Sequence, residues 1–202
     1  MTGIIDYDAG NIRSLIGALD EIGQQWTMVG SAADADALKR LPGSRLILPG
    51  VGAFGAAMDS LNAKNLAGPI RAWLAEDRPF LGICLGLQLL YEGSVESPGV
   101  AGLGFLSGSC QKFSSGLKVP SIGWNQVEAA DGDIFGSGGG TDWFYFVHSY
   151  HPPLESANVI GWAEYGVRFP CAIGAGRARA MQFHPEKSSK AGLELLKRWY
   201  AL

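Results

Sequence analysis

The chain has 202 residues, 47% of them hydrophobic, and a formal net charge of −3. This length predicts one domain spanning residues 1–202 with a substantial core, and the absence of a basic patch argues against a nucleic-acid or anionic-membrane surface. The cysteines Cys84, Cys110 and Cys171 lack metal-site spacing, and neither a secretory signal nor a membrane-spanning run is visible. We therefore expect a cytoplasmic protein with free thiols and without a metal or cofactor.

The first half of the chain alternates short apolar strands with helices. Strands are predicted at 3–6, 25–29, 45–48 and 79–81. Helices are predicted after Asn11, which can cap the first, after Ser31 in a capping box, and at about 54–61 and 68–76. The alternation predicts an α/β fold with a mostly parallel central sheet covered on both faces. Ligands bind beyond the carboxyl ends of such strands, where residues 6–7, 49–52 and 84 would meet.

The second half of the chain has a different character. Short β-like segments at 143–147, 159–165 and 178–183 are separated by Gly, Pro and Ser turns, which predicts additional antiparallel strands. The glycine-rich stretch at 136–140 predicts a flexible loop, and 189–200 a final helix. No internal repeat or domain linker is visible.

Cys84 is predicted to lie on a sharp turn between a strand and a helix. The sequence Gly-Ile-Cys-Leu-Gly at 82–86 follows the strand at 79–81 and precedes a helix predicted at 87–91. Glycines two residues before and after the cysteine are typical of a nucleophile elbow. The turn would present the sulfur at a helix N-terminus, which favours the thiolate. Alone, such a cysteine is more often a small buried hydrophobe, so the assignment depends on residues downstream.

A cysteine nucleophile needs a base and a group that orients the base. His184 and Glu186 follow a strand-like run, and on an extended backbone residues two apart point to the same face. Together with the elbow they form a candidate Cys84–His184–Glu186 triad. For the other histidines, His148 and His151, a structural or surface role is the better interpretation.

The tetrahedral intermediate formed on such a cysteine needs backbone N–H donors for its oxyanion. The N–H of Leu85, next to the nucleophile, is one natural donor. Pro-Gly-Val-Gly at 49–52 can turn the N–H of Val51 inward as the second, because the flanking glycines absorb the change in φ and ψ. In isolation, the same sequence would more often be an ordinary turn between a strand and a helix.

The combination of motifs resembles the class I, triad-type glutamine amidotransferases. Gly-Ile-Cys-Leu-Gly-Leu-Gln at 82–88 and Gln-Phe-His-Pro-Glu-Lys-Ser at 182–188 carry this resemblance. Other motifs narrow it to the glutaminase subunits of imidazole glycerol phosphate synthases: Asp-Tyr at 6–7 with Gly-Asn-Ile-Arg-Ser at 10–14, Leu-Pro-Gly-Val-Gly-Ala-Phe-Gly at 48–55, Gly-Trp-Asn-Gln at 123–126, and Phe-Val-His-Ser-Tyr at 146–150. The resemblance extends from residue 3 to about residue 200.

The resemblance implies a three-layer, flavodoxin-like fold and hydrolysis of L-glutamine through a thioester on the triad cysteine. It implies that glutamine is held by Gly52, Gln88, Ser149 and Tyr150. It also implies a heterodimer with a separate (β/α)8-barrel cyclase subunit, which receives the ammonia and makes imidazole glycerol phosphate and an aminoimidazole carboxamide ribotide in histidine biosynthesis. The residues expected toward that partner are Asn11, Trp124 and Lys187.

Two positions depart from the family pattern, and other functions stay open. Asp8 stands where a small residue, usually glycine, is expected, and Ser121 replaces a common histidine. Glutaminases of anthranilate, aminodeoxychorismate or pyridoxal phosphate synthases share the elbow and the His-x-Glu. A non-catalytic regulator that kept the fold, and a Cys-His peptidase of related fold, are further alternatives.

Overall fold

The computed structural model describes residues 1–8, 12–114, 116–130, 132–137 and 139–202. Its strands are β1 (Thr2–Ile5), β2 (Trp26–Val29), β3 (Arg45–Leu48), β4 (Phe80–Ile83), β5 (Tyr91–Ser94), β6 (Leu106–Lys112), β7 (Ser121–Ala129), β8 (Gly140–His148), β9 (Tyr150–His151), β10 (Val159–Glu164), β11 (Arg168–Ala175) and β12 (Ala178–Met181). Its helices are α1 (Ile12–Glu21), α2 (Ala32–Lys39), α3 (Phe54–Ala63), α4 (Ala67–Ala75), α5 (Leu85–Gln88) and α6 (Ser189–Ala201), with 3-10 turns at Asp133–Phe135 and Pro185–Lys187.

Nine strands form one sheet in the order β2-β1-β3-β4-β12-β11-β10-β7-β8. The pairs from β2 to β12 are parallel, and the pairs from β12 to β8 are antiparallel. The order of the parallel strands is that of flavodoxin-like folds. The predicted parallel sheet with antiparallel additions is therefore confirmed. A second, three-stranded sheet has the order β5-β6-β9.

Helices cover the parallel half of the sheet on both faces. Successive residues of a strand point to opposite faces, so Ile4 and Ile5 of β1 belong to two different hydrophobic clusters. One cluster includes buried side chains of α2, α3 and α4, and the other includes those of α1 and α6. This arrangement gives the three layers that were expected. None of the helices in the described part of the chain is long and apolar enough to cross a membrane.

Most predicted elements of the first half are present, with one clear error. The Ser31 hydroxyl caps α2 by accepting the N–H of Asp34 at 3.3 Å. Asn11, the predicted cap of α1, lies outside the described residues. A helix does follow Cys84, but the bounds predicted for it, 87–91, are wrong, because α5 spans Leu85–Gln88 and β5 begins at Tyr91. The chain leaves the helix there because the carbonyls of Leu89 and Tyr91 pair with the backbone of residues 103 and 104.

The glycine-rich stretch at 136–140 is only partly the predicted loop. It follows the 3-10 turn Asp133–Phe135, and Gly140 is already the first residue of β8. Gly138 lies outside the described residues.

The two glycines around Cys84 allow α5 to pack directly on the sheet. A Cβ added at Gly86 would overlap the carbonyl oxygen of Leu48 in β3. A Cβ added at Gly82 would lie 3.0 Å from backbone atoms of Gly86 and 3.1 Å from Cβ of Ala180 in β12. The elbow therefore depends on the absence of side chains at both positions, as its sequence predicted.

We predict that Gly86→Ala destabilises the fold by about 3 kcal/mol, because the added methyl group meets rigid backbone. The matched control is Gly17→Ala in the exposed interior of α1, where no atom lies within 4 Å of the added Cβ. That control should stabilise the protein by about 0.5–1 kcal/mol, the usual preference of a helix for alanine. Urea unfolding of both variants tests this, and a Gly86→Ala variant as stable as wild type would contradict the packing.

Candidate active site

A cleft of about 490 Å³ opens at the carboxyl ends of β3 and β4. It brings together most of the predicted site: Val51, Gly52, Cys84, Leu85, Gln88, Ser149, Tyr150 and Lys187. A second cleft, of about 420 Å³, lies between β8 and α6 and has neither a cysteine nor a histidine among its described lining residues. Cys84 and the residues predicted to hold glutamine therefore belong to the first cleft, whereas His184 and Glu186 line a separate small cavity beside residues 49–51.

Cys84 occupies a strained turn between β4 and α5. Its φ is +54°, in the left-handed region that a non-glycine residue adopts at a cost of order 1–3 kcal/mol. The residue is 5% exposed, and its N–H donates to the carbonyl of Met181 in β12 at 2.8 Å. Such strain is typical of functional sites held in place by the surrounding packing.

The sulfur of Cys84 has polar neighbours from β12 and β8. The side-chain N–H of Gln182 donates to Sγ at 3.7 Å, and the thiol faces the carbonyl oxygen of Val147 at 3.9 Å. Gln182 is fully buried, and its side-chain carbonyl accepts from the amide of Gln88 at 3.0 Å. The amide of Gln88 also reaches the carbonyl of Tyr150 at 3.1 Å. These contacts fix an N–H donor beside the sulfur.

His184 and Glu186 form the predicted pair. Nδ1 of His184 is 2.7 Å from Oε1 of Glu186, and the two side chains are 3% and 6% exposed. The local geometry differs from the expectation, because Glu186 lies in the 3-10 turn Pro185–Lys187 rather than on a continuing strand. The backbone N–H of His184 donates to Tyr145 and its carbonyl accepts from Ser188, which fixes the ring's position.

The environment of His184 favours a protonated ring. Burial alone would lower the pKa of the imidazole, but the neighbouring sulfur of Cys84 and the carboxylate of Glu186 raise it to about 10. Among the described residues, Nε2 of His184 is buried without a hydrogen-bond partner. That atom is therefore free to exchange a proton with a reacting group, while Nδ1 is held by the carboxylate.

The two backbone N–H groups predicted as oxyanion donors, those of Val51 and Leu85, do not point to a common place in this conformation. The N–H of Leu85 donates to the carbonyl oxygen of Gly50 at 3.3 Å. Because the C=O and N–H of a trans peptide point in opposite directions, the N–H of Val51 points away from Leu85. Val51 itself is 39% exposed. In this conformation the Gly50 carbonyl oxygen takes up the Leu85 N–H; it belongs to residues 49–52, the segment predicted to supply the second oxyanion donor and called the oxyanion loop below.

Two residues of the site were not predicted. Gln182, described above, lies two residues before His184, so the alternation that paired His184 with Glu186 could have indicated it. Glu96 also lines the cleft, and its Oε2 accepts the backbone N–H of Phe54 at 2.8 Å. Nothing local in the sequence marks Glu96, because the β5–β6 connection brings it to the site through tertiary packing.

The residues predicted toward a partner are only partly described. Trp124 is 48% exposed, and Lys187 lines the mouth of the cleft. Asn11 lies outside the described residues. Trp124 shares the outer face of the β7–β8 pair with two further exposed side chains, Ile122 and Trp143.

Asp8, which stands where the family pattern has a small residue, adopts a left-handed backbone conformation. Its φ is +64°, in the region that favours glycine, and its carboxylate pairs with Lys64 at 2.8 Å. The lysine also donates to the carbonyl of Asp6 at 3.2 Å. These contacts link the segment after β1 to α3.

His148 is buried beside the cleft that it helps to line, and among the described residues its Nε2 has no hydrogen-bond partner. Its Nδ1 donates to the carbonyl of Tyr150 at 2.8 Å, and its ring packs 5.2–5.5 Å from the rings of Phe113, Phe146 and Phe169. Burial is the main cause that lowers its pKa to about 4. The ring therefore stays neutral at physiological pH.

Residues 3–201 match the family Glutamine amidotransferase class-I. The Moorella thermoacetica protein named imidazole glycerol phosphate synthase subunit HisH is 48% identical over 199 residues, covering 97% of this chain and 92% of that protein. The Methanocaldococcus jannaschii protein of the same name is 41% identical over the full length of both. The Arabidopsis thaliana chloroplastic imidazole glycerol phosphate synthase hisHF is 42% identical, and the match covers 97% of this chain and 33% of that protein.

Solved structures share the fold at low sequence identity. A crystal structure described as a glutamine amidotransferase aligns over 100% of this chain and 99% of its own, with a TM-score of 0.75 and 20% identity. The structure of PurLQS from Thermotoga maritima aligns over 99% of this chain and 97% of its own, with a TM-score of 0.76 and 18% identity.

We predict that His148 makes the fold less stable in acid. Its pKa is about 4 in the folded protein and 6.5 in the unfolded chain, so only the unfolded chain takes up this proton between those values. Stability is thus complete above pH 6.5 and falls by up to about 3 kcal/mol as the pH approaches 4. In His148→Phe, unfolding free energies measured between pH 7 and 4 should show a shallower decline. Equal slopes for variant and wild type would contradict this assignment.

Proposed function

The chain belongs to the class-I glutamine amidotransferases, and within them to the HisH subunits of imidazole glycerol phosphate synthase, and we propose that it releases ammonia from glutamine with Cys84 as nucleophile. The observation that carries the proposal is a strained cysteine that lines the cleft, next to a buried His184–Glu186 pair that borders residues 49–51 of the same cleft wall. Relatives 40–48% identical over nearly the whole chain favour this subunit over the glutaminases of other synthases.

The first half of the reaction transfers the acyl group of glutamine to the enzyme. His184 holds a proton from the thiol of Cys84, and the resulting thiolate attacks the side-chain carboxamide carbon of glutamine. Gln182 stabilises negative charge on the sulfur through its N–H, 3.7 Å away. As the tetrahedral intermediate collapses, His184 returns the proton to the departing nitrogen. Ammonia leaves, and a γ-glutamyl thioester remains on Cys84.

The second half regenerates the thiol. His184 takes a proton from a water molecule, and the hydroxide attacks the thioester carbonyl carbon. The C–S bond breaks, glutamate leaves, and Cys84 recovers its proton. Throughout, Glu186 keeps the ring in the orientation that presents Nε2 to the reacting groups, because its carboxylate binds Nδ1 at 2.7 Å.

Glutamine binding is proposed at the cleft residues predicted from the sequence, with Glu96 added. Because the amide N–H groups of Gln88 already bind Gln182 and Tyr150, its side-chain carbonyl oxygen is the group left to accept from the substrate. Glu96 supplies the negative charge that the α-ammonium group needs, since it lines the same cleft. Gly52 and Ser149 contribute the remaining lining near the substrate.

The ammonia is proposed to pass to the cyclase partner that a HisH subunit requires, a (β/α)8 barrel that makes imidazole glycerol phosphate and the aminoimidazole carboxamide ribotide. The Arabidopsis relative, named hisHF, is about three times as long as the matched region, which supports a close association of the two activities. On this chain, the exposed Trp124 and the lysine Lys187 at the mouth of the cleft are proposed contacts. The complex is proposed to work in the cytoplasm, where buried free thiols such as Cys110 stay reduced.

The described conformation supports a subunit that is inactive until its partner binds. Because the Gly50 carbonyl accepts the N–H of Leu85, that N–H is not available to an oxyanion, and the N–H of Val51 points away from it. Turning the Gly50–Val51 peptide would free the Leu85 N–H and bring in the Val51 N–H. Gly52, whose φ is +100°, lies at the other end of the turning segment. Cyclase and its nucleotide can favour the turned state only if they bind it more tightly.

We predict that Cys84→Ala abolishes glutamine hydrolysis by the complex, because every bond-making step uses this sulfur. Synthesis from added ammonium salts should persist, since cyclisation belongs to the partner. The matched control is Cys171→Ala, which removes another buried thiol away from the cleft. Glutamate release by the Cys84→Ala complex would contradict the triad.

Removal of the base or its orienting carboxylate should have graded effects. We predict that His184→Asn loses nearly as much kcat as Cys84→Ala, and that Glu186→Gln loses distinctly less, because an orienting group does not itself transfer protons. The measurement is the steady-state kcat of each complex at saturating glutamine. A fully active Glu186→Gln would show that another group orients His184.

We also predict that kcat for glutamine rises by about 10²–10³ when the cyclase and its nucleotide bind, the range expected for restoring an oxyanion donor. Glutamate production is measured for the isolated chain, the binary complex and the nucleotide-bound complex at equal subunit concentrations. Equal kcat values in the three states would rule out a switch at the oxyanion loop.

A further inference from the structure

Tyr7 takes no part in the chemistry above, yet its hydroxyl group lies against the oxyanion loop. The residue follows β1 and is fully buried. Its hydroxyl donates to the carbonyl oxygen of Pro49 at 3.0 Å. Burial, and then the neighbouring Cys84, raise the pKa of the phenol, so the hydroxyl keeps its proton and remains a donor.

The same hydroxyl fills the space that a side chain at position 50 would need. A Cβ added at Gly50 would overlap the Tyr7 oxygen, and it would lie 3.1 Å from Cβ of Leu85. Tyr7 therefore makes two contacts with consecutive residues of the loop. It binds the carbonyl of Pro49, and it requires glycine at position 50.

The other end of the loop is also held. The N–H of Phe54 donates to Glu96 at 2.8 Å, and the N–H of Gly55 donates to the Ser97 hydroxyl at 3.0 Å. These bonds fix the start of α3 directly after the loop. Between the two anchors lie Gly50, Val51, Gly52 and Ala53, so the freely turning part of the backbone is short.

We propose that Tyr7 is the positioning residue of the oxyanion loop: its hydroxyl fixes the Pro49–Gly50 peptide, so that only the Gly50–Val51 peptide turns. This inference rests on the proposed function, because it concerns the donors for an oxyanion formed at Cys84. Without the hydroxyl, the Val51 N–H would be positioned less accurately toward the oxyanion formed at Cys84, although the substrate cleft itself would be unchanged. The loss should therefore affect kcat and leave KM for glutamine nearly constant.

The first test compares Tyr7→Phe with Tyr91→Phe in the complete complex with cyclase and nucleotide. Tyr91 is a matched control, because it is also buried and its hydroxyl is bonded, at 2.8 Å, to Ser156 rather than to the loop. Tyr7→Phe should lower kcat about ten- to a hundredfold and change KM by less than about twofold. A kcat equal to that of Tyr91→Phe, or a change confined to KM, would overturn the proposal.

The second test uses Gly50→Ala, alone and combined with Tyr7→Phe. Alone, the added methyl should lower both kcat and Tm, because it meets the Tyr7 hydroxyl. In the Tyr7→Phe background both losses should shrink, since the overlapping oxygen is gone. Equal losses in the two backgrounds would overturn the proposal. The comparison of Tm values across these variants needs no glutamine turnover, so it tests the contact between Tyr7 and the loop by itself. The proposed function is tested separately, and it fails if the wild-type complex releases no glutamate.

Discussion

The geometry of the active site depends on how closely α5 approaches the ends of β3 and β4. Cys84 keeps its left-handed φ because Gly82 and Gly86 have no side chains to hold the helix away from Leu48 and Ala180. The helix has only four residues, so its dipole contributes little to the nucleophile. The polar environment of the sulfur comes instead from a buried neighbour, Gln182, which the same packing places within 3.7 Å.

The proposed triad already has the contacts that its chemistry would need, whereas the oxyanion loop does not have the conformation that would bind an oxyanion. The His184–Glu186 pair is buried and already bonded, and its surroundings favour the protonated ring. The loop, in contrast, has its Gly50 carbonyl bound to the Leu85 N–H. A single peptide therefore separates the described conformation from one that could stabilise an oxyanion. This explains how a subunit with an intact triad could hydrolyse little glutamine before its partner binds.

Local patterns predicted the parallel half of the fold, the turn at Cys84 and the contact between His184 and Glu186, because apolar runs, elbow glycines and the His-x-Glu spacing act over a few residues. They did not predict the end of α5 at Gln88, where pairing with residues 103–106 decides the structure. Glu96 was missed for the same reason, since a distant connection brings it to the cleft. The orientation of the Gly50 carbonyl also depends on a distant contact, with the N–H of Leu85, which glycine content alone cannot reveal.

The proposed mechanism requires that the sulfur of Cys84 carries the acyl group of glutamine during turnover. The most direct measurement is mass spectrometry of peptides from the complex, quenched in acid during steady-state hydrolysis of glutamine. A γ-glutamyl group is expected on the peptide that contains Cys84, and it should disappear once glutamine is exhausted. Glutamate release with no acyl group on that peptide, or with the group on Cys110 or Cys171, would contradict it.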